Sequence, residues 1–426
     1  MNLFKLKEKK TTAKTEIIAG LTSFFAISYI VIVNSVILKD AGIPAELSVF
    51  ATIFISAIGC YLMGIFANAP IILTPGMGVN AFFTYTLVGT LGLRWQEAIG
   101  VMMVSSLIYC VIAFSKASDV LSRAVPDTLK HGITCGIGLF LVMIGLEKGQ
   151  LIVAGDKSLV ALGDLANPHA LLAIFGLILT LILVVRNVQG GMFIGILATT
   201  ILGVLFKIQD AGEGSFSLMN IVDYPSIMGQ GDFSGLFSLK FMMGVFSLTM
   251  ILVFESMGLL QGLMEEASTV DFKKAFRMSA VTTFLSGIFG TSPTIAAAES
   301  ASGIEEGGKT GLTTIVSGTL FLATLFFIPL LSYVPQAAIA PVILITGALM
   351  MKNLQHIQFD DFTEWFPAFL IVVLIPLTSS IADGMAAGFV FYPIVKLVSG
   401  KKSEIHPILY GISALFLMYL VLNALI

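Results

Sequence analysis

Charge is scarce in this sequence. Asp, Glu, Lys and Arg make up only 12% of its 426 residues, about half the share of an ordinary soluble domain. Hydrophobic residues account for 57%, and mean hydropathy is +0.97. No soluble core hides that much apolar surface, so lipid must solvate the chain. A soluble enzyme, a disordered protein and a nucleic-acid binder are excluded. The net charge of −3 names no charged macromolecular partner. Cysteine is as sparse: Cys60, Cys110 and Cys135 sit in apolar stretches and give no disulfide framework. The four histidines are scattered without metal-ligand or triad spacing. No metal, no cofactor and no enzymatic nucleophile–base pair is expected.

What the sequence does have is long uncharged runs. Lys5, Lys7, Lys9, Lys10 and Lys14 precede the uncharged run Ile17 to Leu38. That run is too long for the apolar core of a signal peptide and long enough to cross a bilayer. Charges mark the water-exposed joints between later runs. Glu46 to Arg94 and Lys309 to Lys352 each enclose enough uncharged chain for two spans, with turns near 67–70 and 333–336. Further spans fall near 96–115, 128–146, 168–185, 190–206, 241–264, 278–291, 365–380 and 382–399, with a broken one at 292–304. The total is fourteen, and an additional apolar segment covers 405–426. With the N-terminus in the cytoplasm, alternation places 17 of the 23 basic residues inside, as the positive-inside rule requires. The longest polar loop, about 207–240, then lies outside with Asp210, Glu213, Asp223 and Asp232.

Two spans are interrupted. The third contains Thr74-Pro75-Gly76-Met77-Gly78-Val79-Asn80, and the tenth contains Gly290-Thr291-Ser292-Pro293-Thr294 followed by Glu299. Proline suits a helix's first turn and breaks its interior. Each span therefore reads as a short extended piece and a half-helix starting near its proline, with Glu299 in the second turn and Asn80 in the near-equivalent place. Gly191-Met192-Phe193-Ile194-Gly195 and Gly384-Met385-Ala386-Ala387-Gly388 open the seventh and fourteenth spans. Seven spans per half is odd, so the second half runs inverted. The fold class is an all-α polytopic membrane protein of two inverted seven-span repeats. Paired broken helices place a transporter's site at the midplane.

Glu255 interrupts the uncharged run from Phe241 to Met264, and Glu299 follows a similar run after Arg277. A carboxyl inside a span is costly and marks function. Asn80 adds a donor and an acceptor. Phe24, Phe25, Phe82 and Phe83 offer aromatic faces, although most of the 33 phenylalanines must face lipid or core. Two acids disfavour an anion. The complementary ligand is small and neutral with N–H and C=O groups on one edge, and a nucleobase fits. A carboxyl in a low-dielectric site can also carry a proton.

The stretches TPGMGVNAFFTYTLV at 74–88 and GTSPTIAAAESASGIEEGGKTGLTT at 290–314 resemble the third- and tenth-span signatures of the nucleobase:cation symporter-2 family, purine (adenine/guanine/hypoxanthine) permease branch. The stretches at 16–34, 129–146 and 366–389 resemble it too. The resemblance implies a cytoplasmic N-terminus (1–15), core spans 1–4 (16–117), gate spans 5–7 (118–208), an outer loop (209–240), core spans 8–11 (241–332), gate spans 12–14 (333–400) and a hydrophobic C-terminal segment (401–426). It implies a plasma-membrane importer of a neutral purine, driven by proton symport, whose core moves against its gate like an elevator. A homodimer in the bilayer is implied as well. Asn80 and Glu299 match the family's binding positions. Glu255, Thr74, Ser292, Thr294 and Phe25 complete the expected substrate site, with Glu255 and Glu299 coupling the proton. The branch usually reads F-D-[ST]-x-G-T-L-x-G in the eighth span. Here Glu255 replaces the aspartate and Leu259 the threonine, which leaves the choice of purine open. A uracil or xanthine permease of the same fold is the alternative, with an anion transporter or a channel behind it.

Overall fold

Helix starts follow capping chemistry. Thr12, Asp271, Thr310, Asp361 and Ser380 each accept a backbone N–H from the first turn they precede. Donors that lipid cannot satisfy are thereby paired. The computed structural model describes residues 4–155, 158–208, 216–266 and 270–424. Asp210, Glu213 and Lys157 lie outside the described residues.

Among the described residues, nine helices are long and apolar enough to cross a membrane. They are span 1 (Ala13–Asp40), span 2 (Ala45–Ala67), span 4 (Trp95–Phe114), span 5 (Asp127–Lys148), span 6 (Pro168–Val185), span 8 (Leu239–Met264), span 11 (Gly311–Tyr333), span 12 (Gln336–His356) and span 14 (Ile381–Val398). Shorter helices occupy the places expected for span 7 (Gly191–Leu205), span 9 (Phe272–Ile288) and span 13 (Phe362–Thr378). Span 9 starts earlier than the charge pattern implies, because Asp271 caps it and its basic residues lie within the first turns. Span 3 is a strand (Leu73–Pro75), a short helix (Met77–Ala81) and a wider π-helical stretch (Phe82–Thr90). Span 10 is a strand (Thr294–Ala296) and a short helix (Ser300–Glu305).

The spans pack as two sets. Spans 1, 2, 4, 8, 9 and 11 surround the two broken ones, while spans 5, 6, 7, 12, 13 and 14 pack on each other. Close crossings within each set use glycine. A Cβ on Gly311 would lie 2.0 Å from the Gly64 carbonyl oxygen, and one on Gly347 would lie 2.4 Å from that of Gly138. Small residues allow such backbone approach where no hydrophobic force drives helices together. Polar contacts join loops assigned to the same side: Lys148 to Asp40 at 2.7 Å and Arg94 to Asp232 at 2.6 Å on one, Gln189 to Glu306 at 2.8 Å on the other.

Two features extend the expected architecture. The loop after span 5 forms a hairpin, Ile152–Ala154 against Val160–Leu162. The C-terminal segment is a helix, Pro407–Asn423, packed along span 14. Its Tyr419 hydroxyl donates to Asp383 at the start of span 14, at 2.8 Å, so the helix runs antiparallel to that span over most of its depth.

Candidate functional site

Breaking a helix frees backbone groups that must find partners inside the membrane. Here the two breaks satisfy each other. Their strands pair antiparallel, Leu73 opposite Ala296, Thr74 opposite Ile295 and Pro75 opposite Thr294. The Gly76 N–H donates to the Pro293 carbonyl at 3.2 Å, and the Ala297 N–H to the Ile72 carbonyl at 2.9 Å. The Ile72 N–H donates to the Ser300 hydroxyl at 2.9 Å.

This register corrects the alignment by prolines. A two-fold through the middle of the pair relates Thr74 to Ile295, and therefore Gly78, not Asn80, to Glu299. Pro75 ends its strand just before the half-helix, whereas Pro293 precedes its strand. Glu299 consequently sits at the cap of the Ser300–Glu305 helix, with φ −62° and ψ −12°, and not in a second turn.

Glu299 is half-buried at the head of that half-helix. The Tyr29 hydroxyl of span 1 donates to its Oε1 at 2.5 Å. The Thr346 hydroxyl of span 12 lies 3.5 Å from the Tyr29 oxygen and donates to it. One acid is thus held from the first set of spans and linked through a phenol to the second. Sequence reasoning passed over Tyr29. The available signal was a single tyrosine in an apolar span, whose hydroxyl must find a buried partner.

Glu255 of span 8 reaches the other half-helix. A Cβ on Gly78 would stand 2.8 Å from its Oε1 and 3.2 Å from its Oε2. Oε2 is buried without a hydrogen-bond partner. The helical face that carries Glu255 continues through Gly258 and Gly262, both exposed, and a Cβ on either would meet nothing within 4 Å. Ala298, beside Glu299, is exposed as well. Each acid therefore has exposed neighbours, Gly258 and Gly262 further along span 8 from Glu255 and Ala298 beside Glu299.

The remaining candidates divide. Asn80 is fully enclosed, and neither its amide nitrogen nor its oxygen has a hydrogen-bond partner. It lies two residues from Gly78, about 200° round a helix, so the structure does not bring it onto Glu255's side. The Thr294 hydroxyl is likewise buried and unpartnered, and Thr74 is buried in its strand. Ser292 is engaged elsewhere: its hydroxyl donates to Asn34 Oδ1 at 2.9 Å, within a cluster where Asn34 also bonds Thr52 and Thr291. Phe25 is 43% exposed, four residues before Tyr29, and meets Phe24 edge-on at 5.4 Å. No group of three or more His, Cys, Asp or Glu suited to a metal ion occurs among the described residues.

Two half-buried carboxyls suit a neutral ligand offering N–H donors, and repel an anion. The model of a permease family matches residues 14–387. The chain belongs to that family. It is the nucleobase:cation symporter-2 family that the third- and tenth-span motifs resemble, and the permease is a transporter, not an enzyme. It is 42% identical over 386 residues to "Nucleobase transporter PlAzg2" of Paenibacillus larvae, covering 89% of this chain and 77% of that one. It is 37% identical to "Guanine/hypoxanthine permease PbuO" of Bacillus subtilis, covering 98% and 99%. It is 36% identical to "Adenine permease AdeQ" of Escherichia coli, covering 99% and 96%. Among solved structures, the transmembrane domain of the cyanobacterial bicarbonate transporter BicA superposes with a TM-score of 0.67 at 16% identity, covering 88% of this chain and 97% of that one. The permease shares that seven-plus-seven inverted-repeat fold.

Proposed function

We propose that this permease imports a neutral purine base (adenine, guanine or hypoxanthine) across the plasma membrane by proton symport, its N-terminus in the cytoplasm. The observation that carries the reading is the pair of half-buried acids, Glu255 against one half-helix and Glu299 heading the other, the half-helices belonging to the two spans whose broken strands pair. Carboxylates there accept N–H bonds from the edge of a base, and Thr74, Thr294 and Phe25 complete the surroundings. Asn80, enclosed on another side of the half-helix, supplies a donor and an acceptor that no described residue uses, and binding there requires the half-helix to shift. The relatives' names extend the reading to purines, and they are divided between adenine and guanine/hypoxanthine. The Glu255 side chain, longer than the branch's usual aspartate, bears on that choice.

Transport follows from the two sets of spans. Spans 1–4 and 8–11 form a core and spans 5–7 and 12–14 a gate, and the core carries the site past the gate. An unpaired carboxylate at mid-membrane costs roughly 2.5–3.5 kcal/mol even on insertion scales. Taking up a proton with a neutral base removes that cost before the core moves. Proteoliposomes holding the purified protein test this with labelled adenine, guanine, hypoxanthine and uracil. An inward proton gradient should concentrate a purine, and an uncoupler should abolish accumulation. Glu255→Gln, permanently neutral, should lose gradient-driven accumulation while keeping exchange. Accumulation indifferent to the uncoupler, or uracil carried in place of every purine, contradicts the reading.

A further inference from the structure

Gly78 occupies an unusual place. The two-fold that relates the strands relates it to Glu299, so the half-helices present different groups at equivalent positions: a carboxyl on one, no side chain on the other. The missing side chain has a definite occupant. A Cβ there would meet Glu255 Oε1 at 2.8 Å, closer than real Cβ contacts come, and Oε2 at 3.2 Å. The nearest remaining neighbour is Ile137 Cγ2 of span 5 at 3.1 Å. The clash therefore falls first on the end of a flexible side chain, which can swing away without disturbing the fold. An aspartate at 255 is one methylene shorter and its carboxylate stops short of that space.

We infer that Gly78 is a positioning and specificity-determining residue: it leaves the space that the Glu255 carboxylate fills, and so sets how far that acid reaches towards the donor edge of a bound base. The inference deepens the purine-transport reading and rests on it for the identity of the ligand. The juxtaposition of Gly78 and Glu255 stands apart from it. Position 78 and the length of the acid at 255 then act as a pair, with consequences that single substitutions at either position do not have alone.

The test is a double-mutant comparison on the purified full-length protein. Gly78→Ala is made with Glu255 in place and again in the Glu255→Asp background. Two readouts are taken: affinity for adenine, guanine and hypoxanthine by calorimetry, and the rate at which a hydrophobic carbodiimide modifies residue 255 relative to Glu299, by mass spectrometry. The second needs no substrate. With Glu255 present, Gly78→Ala should weaken base binding at least tenfold and change the modification rate at 255 at least threefold. In the Glu255→Asp background both effects should fall below twofold. Equal effects in the two backgrounds, or none in either, overturn the inference. If Gly78→Ala fails to fold alone but folds with Glu255→Asp, the coupling is upheld. If both fail, the space is needed by Ile137 and the inference is wrong. A wild-type protein that binds none of the three bases, yet shows the coupled modification rates, overturns the purine reading and leaves Gly78's positioning role standing.

Discussion

Glu299 and Asn80 illustrate opposite ways of holding a polar group ready inside a membrane. Glu299 is held by Tyr29 at 2.5 Å, and a hydrogen bond involving a charge is worth about 1.5–3 kcal/mol. Glu299→Ala should abolish purine uptake with normal membrane insertion. Tyr29→Phe should weaken binding by roughly tenfold or more, the equivalent of that bond; uptake kinetics unchanged by Tyr29→Phe would show that the phenol does not position the acid. Asn80 has no partner at all, so its removal costs the fold little. Asn80→Ala should lower affinity by about 0.5–1.5 kcal/mol, the worth of a neutral bond, while the melting temperature of the unliganded protein stays level or rises. A large drop in melting temperature would make Asn80 a structural residue. Both acids were legible in the sequence, because a charge in an uncharged run stands out. Tyr29 and Gly78 were not. A tyrosine in a span resembles packing, and a glycine's importance lies in what fills the space beside it, which only the fold supplies.

At the scale of elements, the broken spans were legible and their register was not. Pro75 and Pro293 announce two breaks, but a proline fits either before or after the extended piece, and the strand pairing decides which. The structure gives one of each, and Glu299 moves from a helical turn to a helix head. Single cysteines placed near Thr74 and Thr294, at exposed positions such as Ala298, should be protected from thiol reagents by a bound purine, since both threonines lie in the paired strands. Labelling indifferent to substrate at these positions would separate the ligand from the crossing. The head of span 11 depends on a residue that the sequence hid near its start. Buried Glu16 accepts the Lys309 and Thr310 N–H groups at 3.1 and 3.2 Å and the Thr313 hydroxyl at 2.6 Å. This ties the start of span 1 to the loop after the half-helix that Glu299 heads. Glu16→Ala leaves those donors unpaired at a helix N-terminus and should destabilise the protein by about 1.5–3 kcal/mol. Thermal unfolding in detergent measures it, and an unshifted transition would contradict the clamp.

At the scale of the molecule, hydropathy was enough to read a polytopic helical membrane protein, because lipid leaves the chain few alternatives, and nine of the described helices are long and apolar enough to cross a membrane. Which spans pack together was outside its reach, since helix faces and glycine crossings are not written in hydropathy. Among the described residues, polar contacts between the two sets include Tyr29 with Thr346, Thr86 with the Ile381 N–H, and Gln189 with Glu306. Where spans 1 and 5 end, Lys148 pairs with Asp40 at 2.7 Å, and Asp40 also accepts from the Tyr85 hydroxyl at 2.7 Å. In the proposed transport cycle, movement of the core past the gate would break the Lys148–Asp40 pair. A partly exposed pair is worth up to about 1 kcal/mol, so Lys148→Ala should shift the balance between the two facing states by no more than about fivefold. Accessibility of a cysteine near residue 40 reads that shift, and an unchanged accessibility means the pair does not hold the closed side. The central claim is that the acids heading and flanking the crossed half-helices bind a purine base for transport. The most direct measurement is uptake of labelled adenine, guanine and hypoxanthine by proteoliposomes containing the wild-type or Glu299→Ala protein at equal incorporation. The account predicts saturable accumulation of at least one purine by the wild type and none by the variant. Equal uptake by the two, or no purine uptake by the wild type, would contradict it.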